Sequence, residues 1–315
     1  MKAPIGLTMA ALAAAGWATA ARPSASQATE EKQVVVTVVA ADSHAPVIGL
    51  PATAFALRED NLDREVVSAE RATDPMAVVL LADTTTAFLQ YAHELREAAQ
   101  SFAATLHELS PETELAIWEF GGADIPVTDF TTDPNALREA SLKLFPKGSF
   151  SNMSDADLGS LAPTGSRGQN VVASNLLEAV VGASRVLAKR PEHRRVIVSF
   201  NSDVSVEASA LTGQRIQDEV QAARVTWFAT SLSEKVANGP LRDNVMNVLC
   251  PVSGGLRTTI VDVAALGNAM AMAARTLASQ YVLTYRRPVG TSPRNLLVGV
   301  RVEGLRVFAP RWPPQ

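Results

Sequence analysis

The chain has 315 residues, 28 Lys+Arg against 32 Asp+Glu for a net charge of -4, and is 47% hydrophobic and 5% aromatic. This balance excludes wholesale disorder, and 18 Gly, 18 Pro and one Cys exclude collagen-like and disulfide-scaffold classes. The small negative charge leaves no general basic field for nucleic acid or anionic membrane, so neither is expected as a partner.

Lys2 precedes residues 3–20, which are almost wholly apolar or small, and Ala18-Thr19-Ala20 fits a small-x-small cleavage site. Residues 1–20 therefore read as a signal peptide, and the chain is expected to be exported, to the periplasm or the extracellular space. No later stretch is long and apolar enough to span a bilayer. Residues 21–32 read as a polar linker, and the β-branched run Gln33–Ala40 as a strand. Ala54–Arg58 and Glu65–Glu70 add two short strands, so residues 33–73 form a β-segment too small to be stable alone.

Met76–Ala82 is a continuous apolar run, as in a strand buried on both faces of a parallel sheet. Leu95, Ala98, Phe102, Leu106 and Leu109 recur at helical spacing. Leu115–Phe120 is the next strand and Ile125–Phe130 an edge strand. Asp133-Pro134 opens a helix to about Leu144, with Asp133 as its cap. Residues 146–170, rich in Ser, Gly and Asp, read as a long irregular insertion. Beyond it the expected elements are a helix over Val171–Leu187, a strand over Arg195–Phe200, a helix over Gln214–Ala223 and a strand over Val225–Thr230. A helix over Leu241–Leu249, a short strand over Leu256–Ile260 and a helix over Val263–Ser279 follow, and then the strands Tyr281–Tyr285 and Leu296–Phe308. The alternation predicts an α/β fold in which residues 74–285 form a doubly wound, mainly parallel sheet. Residues 286–315 are expected to supply a C-terminal β-segment that packs with 33–73.

Some features carry no chemistry. Cys250, the lone cysteine, reads as a small buried hydrophobe, and Trp118 and Trp227 as core. Trp312 is expected to pack on the small sheet, and Lys189–Arg195 to form a solvated helix end. The four histidines are scattered. There is no His-Glu-x-x-His, Gly-x-Ser-x-Gly, P-loop or Gly-x-Gly-x-x-Gly pattern.

Ligands of doubly wound sheets bind beyond the carboxyl ends of strands. The first such end reads Asp83-Thr84-Thr85-Thr86-Ala87. Carboxylate and hydroxyl oxygens suit hard cations such as Mg²⁺ or Mn²⁺, and the same residue types also cap helices. The order of elements and this segment resemble a von Willebrand factor A-type (VWA) domain, in which an Asp-x-Ser-x-Ser turn helps to build a metal-ion-dependent adhesion site. The resemblance implies metal ligands at Asp83, Thr85, Ser174 and Asn201, with Mg²⁺ or Mn²⁺ as the ion. Ala87 stands where a hydroxyl is lost and Asn201 where a negative charge is lost, so the site reads as degenerate. Asp203 is placed in the adjoining ligand-contact loop. Val34–Ala40, Gly49-Leu50, Phe55-Ala56-Leu57, Val66-Val67-Ser68, Ser253-Gly254-Gly255, Ser279–Tyr285 and Leu296–Trp312 are similar to the secreted VWFA-related family abundant in acidobacterial genomes. The resemblance implies a non-enzymatic, adhesion-type protein that binds a protein ligand. The alternatives are a metal-independent scaffold that uses residues 146–170 and, last, a metal-assisted hydrolase.

Overall fold

The computed structural model describes residues 28–121, 125–147, 172–233 and 240–314. The expected signal peptide, most of the expected linker and most of the 146–170 insertion lie outside these residues. No described helix is long and apolar enough to cross a membrane.

The described residues begin with β1 (Thr29–Ala40), β2 (Phe55–Glu59), β3 (Leu62–Arg64) and β4 (Val66–Arg71). The central unit follows as β5 (Met76–Asp83), α1 (Ala92–Leu109), β6 (Glu114–Phe120), β7 (Ile125–Thr131) and α2 (Pro134–Lys143). It continues as β8 (Ala173–Ser174), α3 (Leu176–Leu187), β9 (Arg194–Ser202), β10 (Val206–Glu207), α4 (Gly213–Ala223), β11 (Val225–Leu232), α5 (Pro240–Val252), β12 (Arg257–Ile260) and α6 (Leu266–Ala278). The chain closes with β13 (Tyr281–Pro288), β14 (Leu296–Val300) and β15 (Leu305–Phe308).

The main sheet has the order β12-β11-β9-β5-β6-β7. All its pairings are parallel except β6 with β7 at the edge. Every residue of β5 is buried, and its side chains alternate between two cores. Met76, Val78, Leu80 and Ala82 join α1, α2 and α6 on one face, while Ala77, Val79 and Leu81 join α3, α4 and α5 on the other. This two-sided burial is what a continuous apolar run requires. On α1 the buried stripe is Leu95, Ala98, Phe102 and Leu106, each large member contributing about 1.5–3 kcal/mol relative to exposure. The stripe stops there: Leu109, expected on the same face, is 39% exposed at the helix end. Asp133 caps α2 by accepting from the Asn135 amide at 2.9 Å, with Pro134 in the first turn.

The remaining strands form a four-stranded sheet, β15-β1-β13-β4, and a three-stranded sheet, β14-β2-β3, both antiparallel. N- and C-terminal strands therefore pair directly. Val36, Phe55, Leu57, Leu283, Tyr285 and Leu296 bury themselves between these sheets as a third core.

Several elements differ from what the sequence predicts, each for a physical reason. β1 starts at Thr29, where polar residues alternate between exposed and half-buried positions and pair with β13. β13 belongs to the accessory sheet rather than the parallel one, and its alternating burial is that of a strand covered on one face. α3 starts at Leu176, because Ala173–Ser174 instead form a short parallel bridge to Val206–Glu207. Leu296–Phe308 divides at residues 301–304 into β14 and β15, which enter different sheets. Trp312 packs against the core that contains Trp227, not on the small sheet. The basic run 189–195 is not a solvated end throughout. Arg194 is buried and donates to the carbonyls of Ala72, Asp74 and Leu277 and to Gln280 Oε1, tying the start of β9 to both neighbouring segments.

Candidate functional site

The chain runs outward from β5 to β6 and β7, then returns to β9, β11 and β12 on the other side. The direction reverses between β5 and β9, and ligand crevices of doubly wound sheets form there. Asp83 ends β5 and Ser202 ends β9 at this point. The Asp83 carboxylate joins the two ends. Its Oδ1 accepts from the Thr85 amide at 2.9 Å and its Oδ2 from the Ser202 amide at 3.0 Å.

The loop after β6 closes a second side. Thr84 donates its amide and its hydroxyl to the Phe120 carbonyl, at 2.9 and 3.0 Å. The Gly121 amide donates to Asn175 Oδ1 at 2.7 Å, which draws the start of α3 to the same place. Gly121 has φ +119°, and a Cβ there would stand 2.6 Å from Thr85 Cγ2, so only glycine lets these loops approach. Ser174 precedes Asn175 and is held by the β8–β10 bridge. Asp83, Thr85, Ser174 and Asn201 are each 0% exposed and Asp203 is 4% exposed.

Among the described residues the hydroxyls of Thr85 and Ser174 are buried without a hydrogen bond of ordinary geometry, although that of Thr85 lies beside the Asp83 carboxyl. Asn201 accepts from the Ser231 hydroxyl at 3.4 Å and reaches Asp203 Oδ1 at 3.5 Å. Three residues that sequence reasoning does not single out complete the cluster. Arg242 of α5, 1% exposed, donates to the Ser202 carbonyl at 3.0 Å and to Ser205 Oγ at 2.9 Å, and stands 3.9 Å from Asp203. Glu207 of β10 accepts weakly from the Leu177 amide at 3.4 Å, and its carboxyl meets that of Glu178. No motif marks these three: Arg242 sits in the first turn of a helix far along the chain, beside Asp243 and Asn244, and the two glutamates come from α3 and β10. Arg257 adds charge from β12, 2.7 Å from Asp243 and 3.6 Å from Asp203.

Burial dominates the electrostatics. It pushes the Asp83 carboxyl up, against Thr85, the Ser202 amide and the charge of Arg242. It pushes Asp203 up likewise, with Arg242 opposing. Glu207 rises to about 8, mainly by burial and further by the adjacent Glu178, with Arg242 opposing. One guanidinium thus acts on three buried carboxyls.

The two unpartnered hydroxyls are the oxygen type a divalent ion would take, but the set as a whole does not fit such an ion. Asn201 is neutral and already bonded to Ser231 and Asp203. Ala87 offers no oxygen. No group of three or more His, Cys, Asp or Glu among the described residues is disposed to hold a metal. Arg242 already supplies a positive charge beside the carboxyls, and a second cation there would be repelled. Cys250 offers no reactive thiol: it is fully buried, and burial pushes its pKa far up.

Outside the cluster, exposed apolar side chains rim the same end of the sheet. Leu89 follows Thr85 and is 55% exposed, and Ile125 begins β7 opposite Glu119. Phe145 lies under the Arg96 guanidinium, two residues before Lys147, whose amide donates to the Thr84 carbonyl at 3.0 Å.

No protein-family model matches the chain. No curated protein matches it in sequence. Solved structures similar to it include a von Willebrand factor type A protein from Catenulispora acidiphila, at 10% identity and TM-score 0.47 over 93% of this chain and 76% of that one. The VWA domain of SpRpn10 is similar at 10% identity and TM-score 0.45, over 64% of this chain and 97% of that one. Proximal thread matrix protein 1 from the mussel byssus is similar at 8% identity and TM-score 0.47, over 67% of this chain, which spans about half (49%) of that protein's length. The central unit has a VWA-type fold by its own strand order, with one antiparallel edge strand among the described strands and Asp83 at the point where the winding reverses.

Proposed function

We propose that the chain is an exported, non-enzymatic protein-interaction module whose contact face is the carboxyl end of the main sheet. The observation that carries this reading is the rim of exposed Leu89, Ile125 and Phe145 around a buried polar cluster that fixes the loops between them. Exposed apolar side chains on loops held by a rigid scaffold are where partners dock. The buried cluster serves as a degenerate adhesion-type site, with Arg242 rather than a divalent ion balancing Asp83 and Asp203. Its work is to hold the rim in place.

Two measurements test the reading together. The melting temperature of wild type should move by less than about 1 °C between EDTA, Mg²⁺, Mn²⁺ and Ca²⁺, whereas an ion at about 100 times its dissociation constant would add about 2.7 kcal/mol. In capture from the extracellular and periplasmic fractions, immobilised wild type should retain a protein in EDTA and in Mg²⁺ alike. A variant carrying Leu89→Asp and Phe145→Asp, with unchanged melting, should not. A metal-induced rise that Asp83→Ala abolishes would restore a working cation site. Retention unaffected by the double variant would sink the proposed face, and if deletion of residues 148–170 then abolished it, the contact would lie in that segment.

A further inference from the structure

A cavity of about 720 Å³ lies at the opposite end of the main sheet, between the amino ends of β9 and β11 and the accessory strands β1 and β13. Its size is that of a small-molecule site. Four basic side chains, His193, Arg194, Arg195 and Arg224, line it with one acid, Asp74. Trp312 forms part of the wall.

Among the described residues the positive charge in this cavity is poorly compensated. Arg195 donates to the carbonyls of Glu192, Ala223 and Arg190 at 3.1, 3.2 and 2.8 Å, which uses Nε and one hydrogen on each terminal nitrogen. Arg224 has one long bond, 3.4 Å to the Pro313 carbonyl. Neither guanidinium joins the ion pairs seen among the described residues, which elsewhere engage Arg190, Arg242 and Arg257. Arg224 is lowered by burial and then by the charge of Arg195, so the two cations feel each other. Beside them Arg194, 5% exposed, spends its four terminal hydrogens on four acceptors and leaves its Nε buried without a partner. Arg224 is also held in a left-handed conformation, φ 53°, at the end of α4. That conformation disfavours any residue but glycine or asparagine.

We propose that this cavity binds a small organic anion, its carboxylate or phosphate on Arg195 and Arg224 and its flat apolar part against Trp312. Guanidinium groups bind both anion types through paired N–H donors. Among the described residues, Arg195 keeps one hydrogen on each terminal nitrogen without an acceptor, and Arg224 has nearly its full set. The proposal stands apart from the contact face, which lies at the other end of the strands.

The test is titration of the full-length protein with benzoate, phenyl phosphate and inorganic phosphate at constant ionic strength, read by melting temperature and tryptophan fluorescence. Benzoate and phenyl phosphate should saturate below about 1 mM and bind at least tenfold more tightly than inorganic phosphate, the two organic probes separating carboxylate from phosphate preference. Arg224→Gln should weaken both at least tenfold, Arg224→Lys less, and Trp312→Phe should remove the fluorescence change while Arg224 still governs the melting shift. Anions that stabilise no more than chloride, or wild-type affinity in Arg224→Gln, would overturn the proposal. So would inorganic phosphate binding as tightly as phenyl phosphate.

Discussion

Between pH 5 and pH 8 the protein is expected to lose stability, with a fall in melting temperature that most of its surface carboxylates cannot produce. The cause is the buried acid cluster at the end of the main sheet. Glu207 is raised from 4.5 to about 8. The folded state therefore holds a proton at pH 6 or 7 that the unfolded chain has released. Where the native state binds more protons, unfolding free energy falls as pH rises. The contribution is fully present below 4.5 and is lost as the pH climbs to about 8. Asp83 and Asp203 are also raised from 3.8 and act in the same sense above that value. A tenfold change in proton affinity is worth about 1.4 kcal/mol, so Glu207 alone contributes on the order of several kcal/mol, an upper bound for a carboxyl that can recruit water. Arg242 acts on all three acids and Arg257 on Asp203 as well, and Glu178 faces Glu207 directly. Glu207→Gln should match wild type at pH 5, melt higher at pH 8 and show a flatter pH profile. The amide can still accept from the Leu177 amide and donate to Glu178. A wild type that gains stability steadily from pH 5 to 8, with Glu207→Gln parallel to it, would show that these carboxyls are charged and solvated in the folded protein.

The central unit is largely legible in the sequence because its signals are local. Met76–Ala82 is apolar without interruption and Asp133-Pro134 caps a helix, so each fixes its element within a few residues. Asp83 can be placed at a strand end for the same reason. The misreadings occur where partners are distant. Thr29–Lys32 look like a linker until Tyr285–Pro288 pair with them, and Tyr281–Tyr285 follow a run of helices and strands yet turn to β1 and β4. Arg194 looks like a member of a basic surface run because nothing local reveals that the carbonyls of Ala72 and Leu277 converge on it. The functional cluster divides likewise. The oxygen side chains follow a recognisable spacing, whereas Arg242, the charge that changes their meaning, comes from a helix about forty residues further on with no motif to tie it to them. The resemblance singles out the oxygen side chains, and the electrostatics of the cluster they join come from the fold.

Removing the Arg287 guanidinium while keeping its length apolar, Arg287→Met, is expected to cost about 3 kcal/mol, the low end for breaking a buried ion pair, because Arg64 and Tyr285 stay on the carboxylate. The carboxylate is that of Glu59, 0% exposed at the end of β2. Arg287 Nη2 and Nε reach its Oε1 at 2.6 and 2.9 Å, the Tyr285 hydroxyl donates to the same oxygen at 2.5 Å, and Arg64 Nε reaches Oε2 at 3.1 Å. Burial alone would raise Glu59, but these donors outweigh it and hold the carboxyl below its usual value. β2 and β3 belong to the three-stranded sheet and β13 to the four-stranded one, so the cluster pins the two accessory sheets together. Arg287 Nη2 also donates to the Pro314 carbonyl at 3.0 Å, which ties Pro314 to β13. The melting temperature should fall by roughly 10 °C, taking about 2–4 °C per kcal/mol. The stabilisation from Glu59 is present above the unfolded value of 4.5 and lost as the pH falls through the lower folded value, so Arg287→Met should differ least from wild type in acid. Glu59→Leu combined with Arg287→Met should recover much of the loss, since the desolvation cost of the pair disappears with both charges. If the single variant melts like wild type at pH 7, Arg64 and the Tyr285 hydroxyl suffice to hold Glu59, and the Arg287 ion pair does not join the two sheets.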